Sequence, residues 1–310
     1  FHYEPYELRW QPPHKDHDVK VHGELFTSAA FLEAHMELQD SPPEPDCDLP
    51  HIIAVLMFWS DSTQLTTFGN TKLWPLYVYF GNESKYQRSQ PENNLCCHAA
   101  YFQMLPNEFK DFLTEHFGGN GPSEALFTHC HRELFHEQWK ILLDEDFIKA
   151  YKHGIIITCC NSIKCQFYPQ IFTYSADYPE KILIASIRNL STCPRPRCTI
   201  TMARVPDVAT EHDMLQRQLL IHIDSEERRK KGNYAVNTPQ NELLLKDESL
   251  VPTSNAFSDR LCVLGFNLFS MLVVDLMHEF ELSIWKAIFT HLLRMLESLK
   301  DSKLHELDRR

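Results

Sequence analysis

Two aspartates follow apolar segments of the chain, at positions where a buried strand would end. Asp61 comes after Ser60 and the run 52–59, whose length and β-branched and aromatic content fit a buried strand or a short buried helix. Asp177 follows the segment 168–175 in the same way. Open α/β sheets tend to bind ligands at the carboxyl ends of their strands. Each carboxylate is therefore either a cap or part of an acidic metal site.

The spacing around Asp177 by itself favours a capping role. Tyr178, Pro179 and Glu180 follow it, and aspartate is a good N-cap for a helix with proline in its first turn. A metal role has its own chemical logic. Two divalent ions about 4 Å apart, held by acidic oxygens, can clamp a phosphoryl group during an in-line displacement. Neighbouring strand ends would bring Asp61 and Asp177 together for this purpose.

The elements that must position these aspartates are predicted from the hydrophobic pattern. The run 52–59 and a second apolar segment, 73–80, are separated by a turn at Gly69–Asn70, which indicates a hairpin. The last segment, 276–299, has the spacing of an amphipathic helix. The other predicted elements are a helix at 28–38, strands at 98–105, 155–157 and 168–175, helices within 106–152 that are interrupted at 118–122, and a helix at 179–190. The buried side of the last helix is predicted to carry Trp285, Ile288, Leu292 and Met295.

This order of elements, with one aspartate after the first strand and one after a later strand, is the order of an RNase H-like core. It predicts an α/β fold in which a mixed sheet is flanked by helices. An inserted charged region and a long C-terminal helix complete the expected architecture. The predicted divisions are an extended N-terminal arm (1–50), the RNase H-like core (51–192), the insertion (193–265) and the C-terminal helical part of an incomplete core (266–310).

Composition restricts the function classes. Lys plus Arg is 30 and Asp plus Glu is 42, so the net charge of −12 argues against a broad basic surface for nucleic acid. No stretch approaches the roughly 20 apolar residues of a membrane span, and there is no secretory signal. Ten cysteines without such a signal indicate reduced thiols and an intracellular protein. The mixed-charge run 226–231 is typical of a solvated helix face.

Other catalytic classes lack their motifs. The chain has no Gly-x-Ser-x-Gly nucleophile elbow and only nine glycines, too few and too scattered for a phosphate-binding loop. The triplet His129–Cys130–His131 is better explained by ordinary helix-face side chains than by a metal site. The chain begins at Phe1 rather than Met, and we expect it to be a fragment of a longer protein.

Several strings of residues resemble one family closely. The chain resembles Plavaka transposases, fungal DNA-transposon proteins allied to the CACTA and Kyakuja–Dileera–Zisupton groups, over essentially its whole length. The strings that carry the resemblance are Leu56–Thr63, Leu73–Tyr77, Phe80–Tyr86, Phe172–Lys181, Asp275–Leu282 and Trp285–Lys286.

The resemblance implies a DDE-type, RNase H-like catalytic domain that cuts and joins DNA with Mg²⁺ or Mn²⁺. It implies that Asp61 and Asp177 are the first and second catalytic acids and bind the metal. The third acid would lie on a helix after the insertion, so Glu279 and Glu281 are candidates, although the family pattern places it beyond Arg310. Transposon-end DNA as partner, a homo-oligomer and a nuclear location are implied as well.

The chain departs from the family pattern at a cysteine cluster. The family has Cys–Pro–Cys–Pro–Arg–Cys, which looks like part of a zinc knuckle, but here Arg195 replaces the middle cysteine. Cys193 and Cys198 remain, with His278 as a distant partner for a degenerate Zn²⁺ site. Two structural thiols are the alternative. Asp275 and His278 are equally compatible with a helix N-terminus and with a ligand pair.

Two functions follow from these observations. The first is the catalytic-core fragment of a cut-and-paste DNA transposase, with metal-dependent strand cleavage and transfer in the parent family and no activity expected from this fragment. The alternative is a non-catalytic, transposon-derived protein that binds DNA or protein. The missing third acid, the altered cysteines and the acidic charge motivate the alternative.

Overall fold

The chain folds as an α/β protein in which a mixed sheet is flanked by helices. The computed structural model describes residues 1–42, 44–45, 47–66, 72–236 and 238–298. The predicted turn at Gly69–Asn70 and the last residue of the predicted helix 276–299 lie outside this part.

The strands are numbered in chain order. Three are long enough to build the centre of the sheet, and the others are hairpin arms or edges. The strands are β1 (Arg9–Trp10), β2 (Val19–Lys20), β3 (His51–Ser60), β4 (Thr63–Gln64), β5 (Lys72–Leu73), β6 (Pro75–Phe80), β7 (Cys97–Tyr101), β8 (Ile155–Thr158), β9 (Lys164–Ser175) and β10 (Leu272–Val273).

The main sheet has the order β10-β9-β3-β6-β7, with β8 as a further partner of β9. β3 pairs antiparallel with β6, and β6 pairs antiparallel with β7, so the predicted hairpin of the first two core strands is confirmed. On its other side β3 runs parallel to β9, and β10 runs parallel to β9. β8 forms an antiparallel hairpin with the beginning of β9. The sheet is therefore mixed, with its parallel half at β3, β9 and β10.

The helices lie between and after these strands. They are α1 (Ala29–Asp40), α2 (Lys85–Arg88), α3 (Asn107–His116), α4 (Glu124–Leu142), α5 (Glu145–His153), α6 (Tyr178–Ile184), α7 (Glu211–Leu219), α8 (Glu226–Gly232), α9 (Pro239–Asp247), α10 (Ala256–Leu261), α11 (Leu268–Met271) and α12 (Lys286–Ser298). Short 3₁₀ turns occur at Leu25–Thr27, Pro91–Asn93, Met202–Asp207 and Cys262–Leu264, and a π-helical segment spans Leu276–Trp285.

The larger core lies between one face of the sheet and helices α4 and α10. Trp139 of α4 is its centre, with ring centroids 5.3 Å from Phe58 of β3, 5.5 Å from Tyr174 of β9 and 4.6 Å from Phe257 of α10. All four side chains are buried. Packing of such large rings excludes water from this face and fixes β3 and β9 against the helices.

Helix α1 covers the other face. Ser28 caps it by accepting a hydrogen bond from the Phe31 amide, and Phe31 packs into a cluster with Ile53 and Val55 of β3. Gly81 lies under this cluster, where a Cβ atom would come 2.6 Å from Val55 Cγ1. The alternation of β3 side chains between two buried faces explains its unbroken apolar run.

Some predicted elements differ in extent. The strand predicted at 98–105 ends at Tyr101, and the helix predicted to reach Leu190 ends at Ile184. This helix stops because Ser186 adopts a positive φ of 51° and Ile187 pairs with Leu250, which is distant in sequence. The charged run 226–231 is helical, but Arg228 and Lys231 of that run pack inward rather than facing solvent.

The C-terminal helix contradicts the predicted burial. It begins as the π-helical segment and continues as α12. The side chains predicted to be buried are about half exposed, at 48% for Trp285, 46% for Ile288, 49% for Leu292 and 53% for Met295. The prediction of a buried side for this helix was wrong. No helix or strand of the described ranges packs over the side that carries these four residues. No helix in the described ranges has the length and apolarity needed to cross a bilayer.

Candidate functional site

Asp61 and Asp177 lie at the same edge of the sheet. Strands β3 and β9 are parallel neighbours, and their last paired residues are Trp59 and Ser175. Each aspartate comes two positions after its member of this pair. Because neighbouring strands are about 4.8 Å apart, the two aspartates follow strand ends that lie side by side at the same edge.

A third aspartate follows the next parallel strand at the same register. Val273 of β10 pairs with Ser175 of β9, and Asp275 comes two positions later. Asp61, Asp177 and Asp275 therefore follow three adjacent parallel strand ends. We call this row of three residues the aspartate edge.

The three carboxylates differ in how far they are engaged. Asp275 is 4% exposed and is the N-cap of the π-helical segment, with Oδ1 accepting from the Met277 and His278 amides at 3.0 and 3.4 Å. Its Oδ2 is bonded to Nδ1 of His278. Both oxygens of Asp275 are thus committed to the helix that follows.

Asp177 and Asp61 have free oxygens. Oδ1 of Asp177 accepts the Glu180 amide at 2.9 Å, which is the N-cap geometry considered for it from the sequence. Its Oδ2 accepts no hydrogen bond from the described residues. Asp61 is partly exposed, and no described group forms a hydrogen bond or an ion pair with its carboxylate. Capping and ligand binding are therefore compatible at Asp177.

The electrostatics of the edge favour a cation. The hydrogen bond with Asp275 raises the pKa of His278, and the negative charges of Asp61 and Asp177 raise it further, against the opposing effect of burial. The carboxylates are thus close enough to His278 to stabilise its positive charge. The same field would attract a divalent ion.

A buried glutamate lies directly beneath the edge. Glu180 of α6 is 6% exposed and accepts hydrogen bonds from Ser60 Oγ, from Trp74 Nε1 at 2.9 Å and from the Tyr174 hydroxyl at 3.3 Å. The Ser60 Oγ and the Tyr174 hydroxyl oxygen are also hydrogen-bonded to each other, 2.7 Å apart. Burial raises the pKa of Glu180 to about 7, and the hydrogen bonds from Ser60 and Trp74 partly offset this. The network joins the end of β3 to β9, to Trp74 directly before β6 and to α6, the helix that Asp177 caps.

The glutamates considered as third acid lie elsewhere on the π-helical segment. Glu279 forms an ion pair with Lys181, whose side chain is only 7% exposed. Glu281 is exposed to solvent. Glu279 is thus paired with a buried lysine, whereas Glu281 lies on the surface.

The proposed zinc ligands do not form a cluster. Cys193 and Cys198 are buried, reduced thiols, and the Cys193 thiol donates to the Thr199 carbonyl at 3.3 Å. The ring of His278 is bonded to Asp275. Within the described ranges, no group of three or more His, Cys, Asp or Glu side chains is arranged to hold a metal ion.

The aspartate edge nevertheless has the donor chemistry of a magnesium site. Mg²⁺ prefers carboxylate oxygens and commonly uses only one or two protein carboxylates, with water and substrate phosphates as the other ligands. Asp61 and Asp177 provide two neighbouring carboxylates with unengaged oxygens. These two residues fit such an ion.

A model of the Plavaka transposase family matches residues 1–295 of the chain. The chain belongs to this family. Comparisons with curated proteins and with solved structures found no match. The matched region of this Plavaka-family chain includes the whole aspartate edge, the main sheet and residues 193–265.

Two features of the Plavaka chain's site were missed from the sequence. Asp275 was weighed as a cap or a ligand, but its place in the row was not foreseen, although the pattern of a short apolar segment followed by aspartate repeats that of Asp61. Glu180 was considered only as part of a helix start. No signal in the sequence shows that Ser60 and Trp74 converge on it.

Proposed function

We propose that the chain carries the RNase H-like catalytic core of a cut-and-paste DNA transposase. The observation that carries the proposal is the position of Asp61 and Asp177 after neighbouring parallel strands at equal register. The strand order supports it, since three antiparallel strands followed by two parallel ones, ordered β7-β6-β3-β9-β10, is the arrangement expected of this core. Membership of the Plavaka transposase family is consistent with both.

In the proposed site Asp61 and Asp177 hold Mg²⁺ or Mn²⁺. Such an ion would supply charge neutralisation at the phosphodiester and lower the pKa of a water nucleophile. The chain's own residues orient the site. The Glu180 amide holds one oxygen of Asp177, and the paired strands β3 and β9 end at equal register just before the two aspartates. Zn²⁺ has no supporting cluster among the described side chains.

The third acid is proposed to come from the segment after β10. Asp275 already belongs to the aspartate edge. To bind an ion, it would have to break its hydrogen bond with the Met277 amide or the one with the His278 ring. Glu279 would have to release Lys181. Glu281 is unengaged but exposed. Action on transposon-end DNA, within a homo-oligomer and in the nucleus, belongs to the same proposal.

The proposal is tested with the variant Asp61→Asn. In a longer protein that contains this chain, we expect divalent-metal-dependent nicking of supercoiled DNA and at least a hundredfold loss on Asp61→Asn, with Asp111→Asn of helix α3 as the matched control. Mn²⁺ at about 100 times its Kd should also stabilise the unsubstituted protein by about 2.7 kcal/mol and not the variant. Equal nicking by Asp61→Asn would contradict the assignment.

A non-catalytic DNA-binding role is the second candidate. It is favoured by the engagement of both Asp275 oxygens and by the lack of a three-residue metal group in the described ranges. DNA binding without cleavage at any Mg²⁺ or Mn²⁺ concentration would support it. Robust cleavage would refute it.

A further inference from the structure

A large cleft opens beside the aspartate edge. Its volume is about 710 Å³, within the range of roughly 300–1,000 Å³ typical of pockets for small organic ligands. Tyr178, directly after Asp177, and Val274, directly before Asp275, both line it. Whatever occupies the cleft therefore lies next to the proposed site of chemistry.

Two of the cations in the cleft wall are neutralised by the protein. Lys181 forms its ion pair with Glu279, and Arg217 lies 2.5 Å from Asp213. Both pairs are largely buried and hold the α6 and α7 sides of the cleft in place. They leave little positive charge for a ligand.

The other two cations are not neutralised. Arg195 and Arg197 line the cleft from the loop 193–198, and both are exposed. Neither guanidinium forms an ion pair with any described carboxylate. In a chain with a net charge of −12, these two arginines, separated only by Pro196 and without an ion-pair partner among the described carboxylates, make this part of the surface locally positive. Their charge is complementary to a phosphate-bearing ligand, and arginine suits phosphate geometry.

The arginine loop is held rigidly. The Pro194 carbonyl accepts the Tyr178 hydroxyl at 2.9 Å, and the Arg197 carbonyl accepts the His222 amide at 3.1 Å. The amide of Cys193, at the start of the loop, donates to Ser249 Oγ at 2.7 Å. Proline restricts the backbone before each arginine. The loop is thus ordered before a ligand arrives, which lowers the entropic cost of binding.

The remaining wall of the cleft is largely apolar. Met202 and Met214 contribute flexible thioether side chains, and Tyr178 contributes an aromatic ring. Polarisable and aromatic surface is suited to the face of a nucleic-acid base, and such contacts tolerate any base sequence. An inorganic anion would use the arginines but leave this surface uncovered.

We propose that this cleft binds nucleotides of a single DNA strand, with phosphates on Arg195 and Arg197 and a base against Tyr178 and the methionines. The inference rests on the proposed function, because it takes DNA as the substrate. It adds a defined binding subsite beside the aspartate edge. The cleft would fix the position of the strand relative to Asp61 and Asp177.

The first test measures binding without metal. A short fluorescein-labelled single-stranded oligonucleotide is titrated in EDTA at several salt concentrations, using anisotropy. Each lost phosphate contact lowers the magnitude of the salt slope by about 0.7, so Arg195→Ala/Arg197→Ala should lower it by about 1.4 and weaken binding about tenfold or more at low salt. The matched control is Lys152→Ala/Lys164→Ala, which removes the same charge near the opposite end of β9.

The second test locates the strand. An oligonucleotide with a photoactivatable thymidine should crosslink to Tyr178, Met202 or Met214. Arg195→Lys/Arg197→Lys should keep most of the salt slope because the charge is retained, and this variant also serves if the alanine pair does not fold. Equal effects of the alanine pair and the control pair, crosslinks confined to other surfaces, or binding of poly-glutamate in place of DNA would overturn the proposal.

These outcomes are separable from the proposed cleavage. Binding in EDTA that depends on the two arginines supports the cleft even if Asp61→Asn leaves nicking unchanged. Metal-dependent nicking that is lost in Asp61→Asn but unaffected in Arg195→Ala/Arg197→Ala, with unchanged DNA binding, would retain the catalytic site and reject the cleft.

Discussion

The substitution Glu180→Gln tests whether the buried carboxyl beneath the aspartate edge is protonated near neutral pH. The amide has the shape of the protonated acid. Its nitrogen can donate to Ser60 Oγ, where Oε1 now lies, and its oxygen can accept from Trp74 Nε1 in place of Oε2. The variant should therefore fold with the same network but without a titrating group.

The magnitude follows from the pKa. Burial raises the pKa of Glu180 from 4.5 to about 7, so the folded protein keeps a proton that the unfolded chain releases between these values. The associated stability is fully present below the unfolded pKa and is lost as the pH rises through the folded pKa. At about 1.36 kcal/mol per pKa unit, the stability of the unsubstituted protein relative to Glu180→Gln should fall by roughly 2.5 kcal/mol from about pH 5 to pH 8.

Comparison with the variant is essential because other groups titrate in the opposite direction. Burial lowers the pKa of His136 and of His222 to about 4, so both histidines make the protein less stable as the pH falls below about 6.5. Their contribution is the same in both proteins and cancels in the difference.

The assay is urea unfolding of both proteins at several pH values, followed by tryptophan fluorescence and analysed by linear extrapolation. Glu92→Gln, at an exposed position, is the matched control for loss of a surface carboxyl. A stability difference between the protein and Glu180→Gln that stays constant across the pH range would refute the reasoning. It would mean that Glu180 is charged throughout, with its hydrogen bonds outweighing burial.

Two further predictions concern packing. Gly81→Ala should lower the free energy of unfolding by about 1–3 kcal/mol, because its Cβ atom would lie 2.5 Å from Leu25 Cδ2 and 2.6 Å from Val55 Cγ1. Unchanged urea unfolding would show that the side chains of Leu25 and Val55 can move aside without cost. Phe257→Ala should cost about 3–5 kcal/mol, because the ring is fully buried against the α4 helix, whereas Phe112→Ala, at a position 58% exposed, should cost little in the same assay.

The sequence predicted an element correctly where one physical requirement, such as burial on both faces, determined the local residue pattern. The run 52–59 is apolar on both faces because helices cover both sides of β3, and its strand assignment is confirmed. The helix predicted at 28–38 is also confirmed as α1 (Ala29–Asp40), and Ser28 is its N-cap, an arrangement that depends on neighbouring residues only. The turn geometry that ends α6 at Ser186 depends on distant Leu250 and could not be read from the local pattern.

Long-range contacts explain the other differences. The apolar side of 276–299 has the spacing of a buried face, but burial depends on whether another element covers it. Arg228 was expected on a solvated face, yet its guanidinium lies 4.6 Å from the Phe269 ring centroid, and burial lowers its pKa to about 10. The hydrogen-bond partners of Glu180 come from β3, from β9 and from Trp74 between β5 and β6. None of these relations is contained in a local pattern.

The short strand β10 has a consequence for how the protein folds. It joins the sheet through Leu272 and Val273, and the long segment 176–271 separates these residues from their partners in β9. Closing so long a loop for so few backbone contacts is entropically unfavourable, and contacts distant in sequence form slowly. The hairpin of β3 and β6 can form early, whereas β10 can add only late. Until it does, the end of β9 is an open strand edge that another chain could pair with, so the late docking of β10 leaves the folding chain exposed to aggregation until this final step covers the edge.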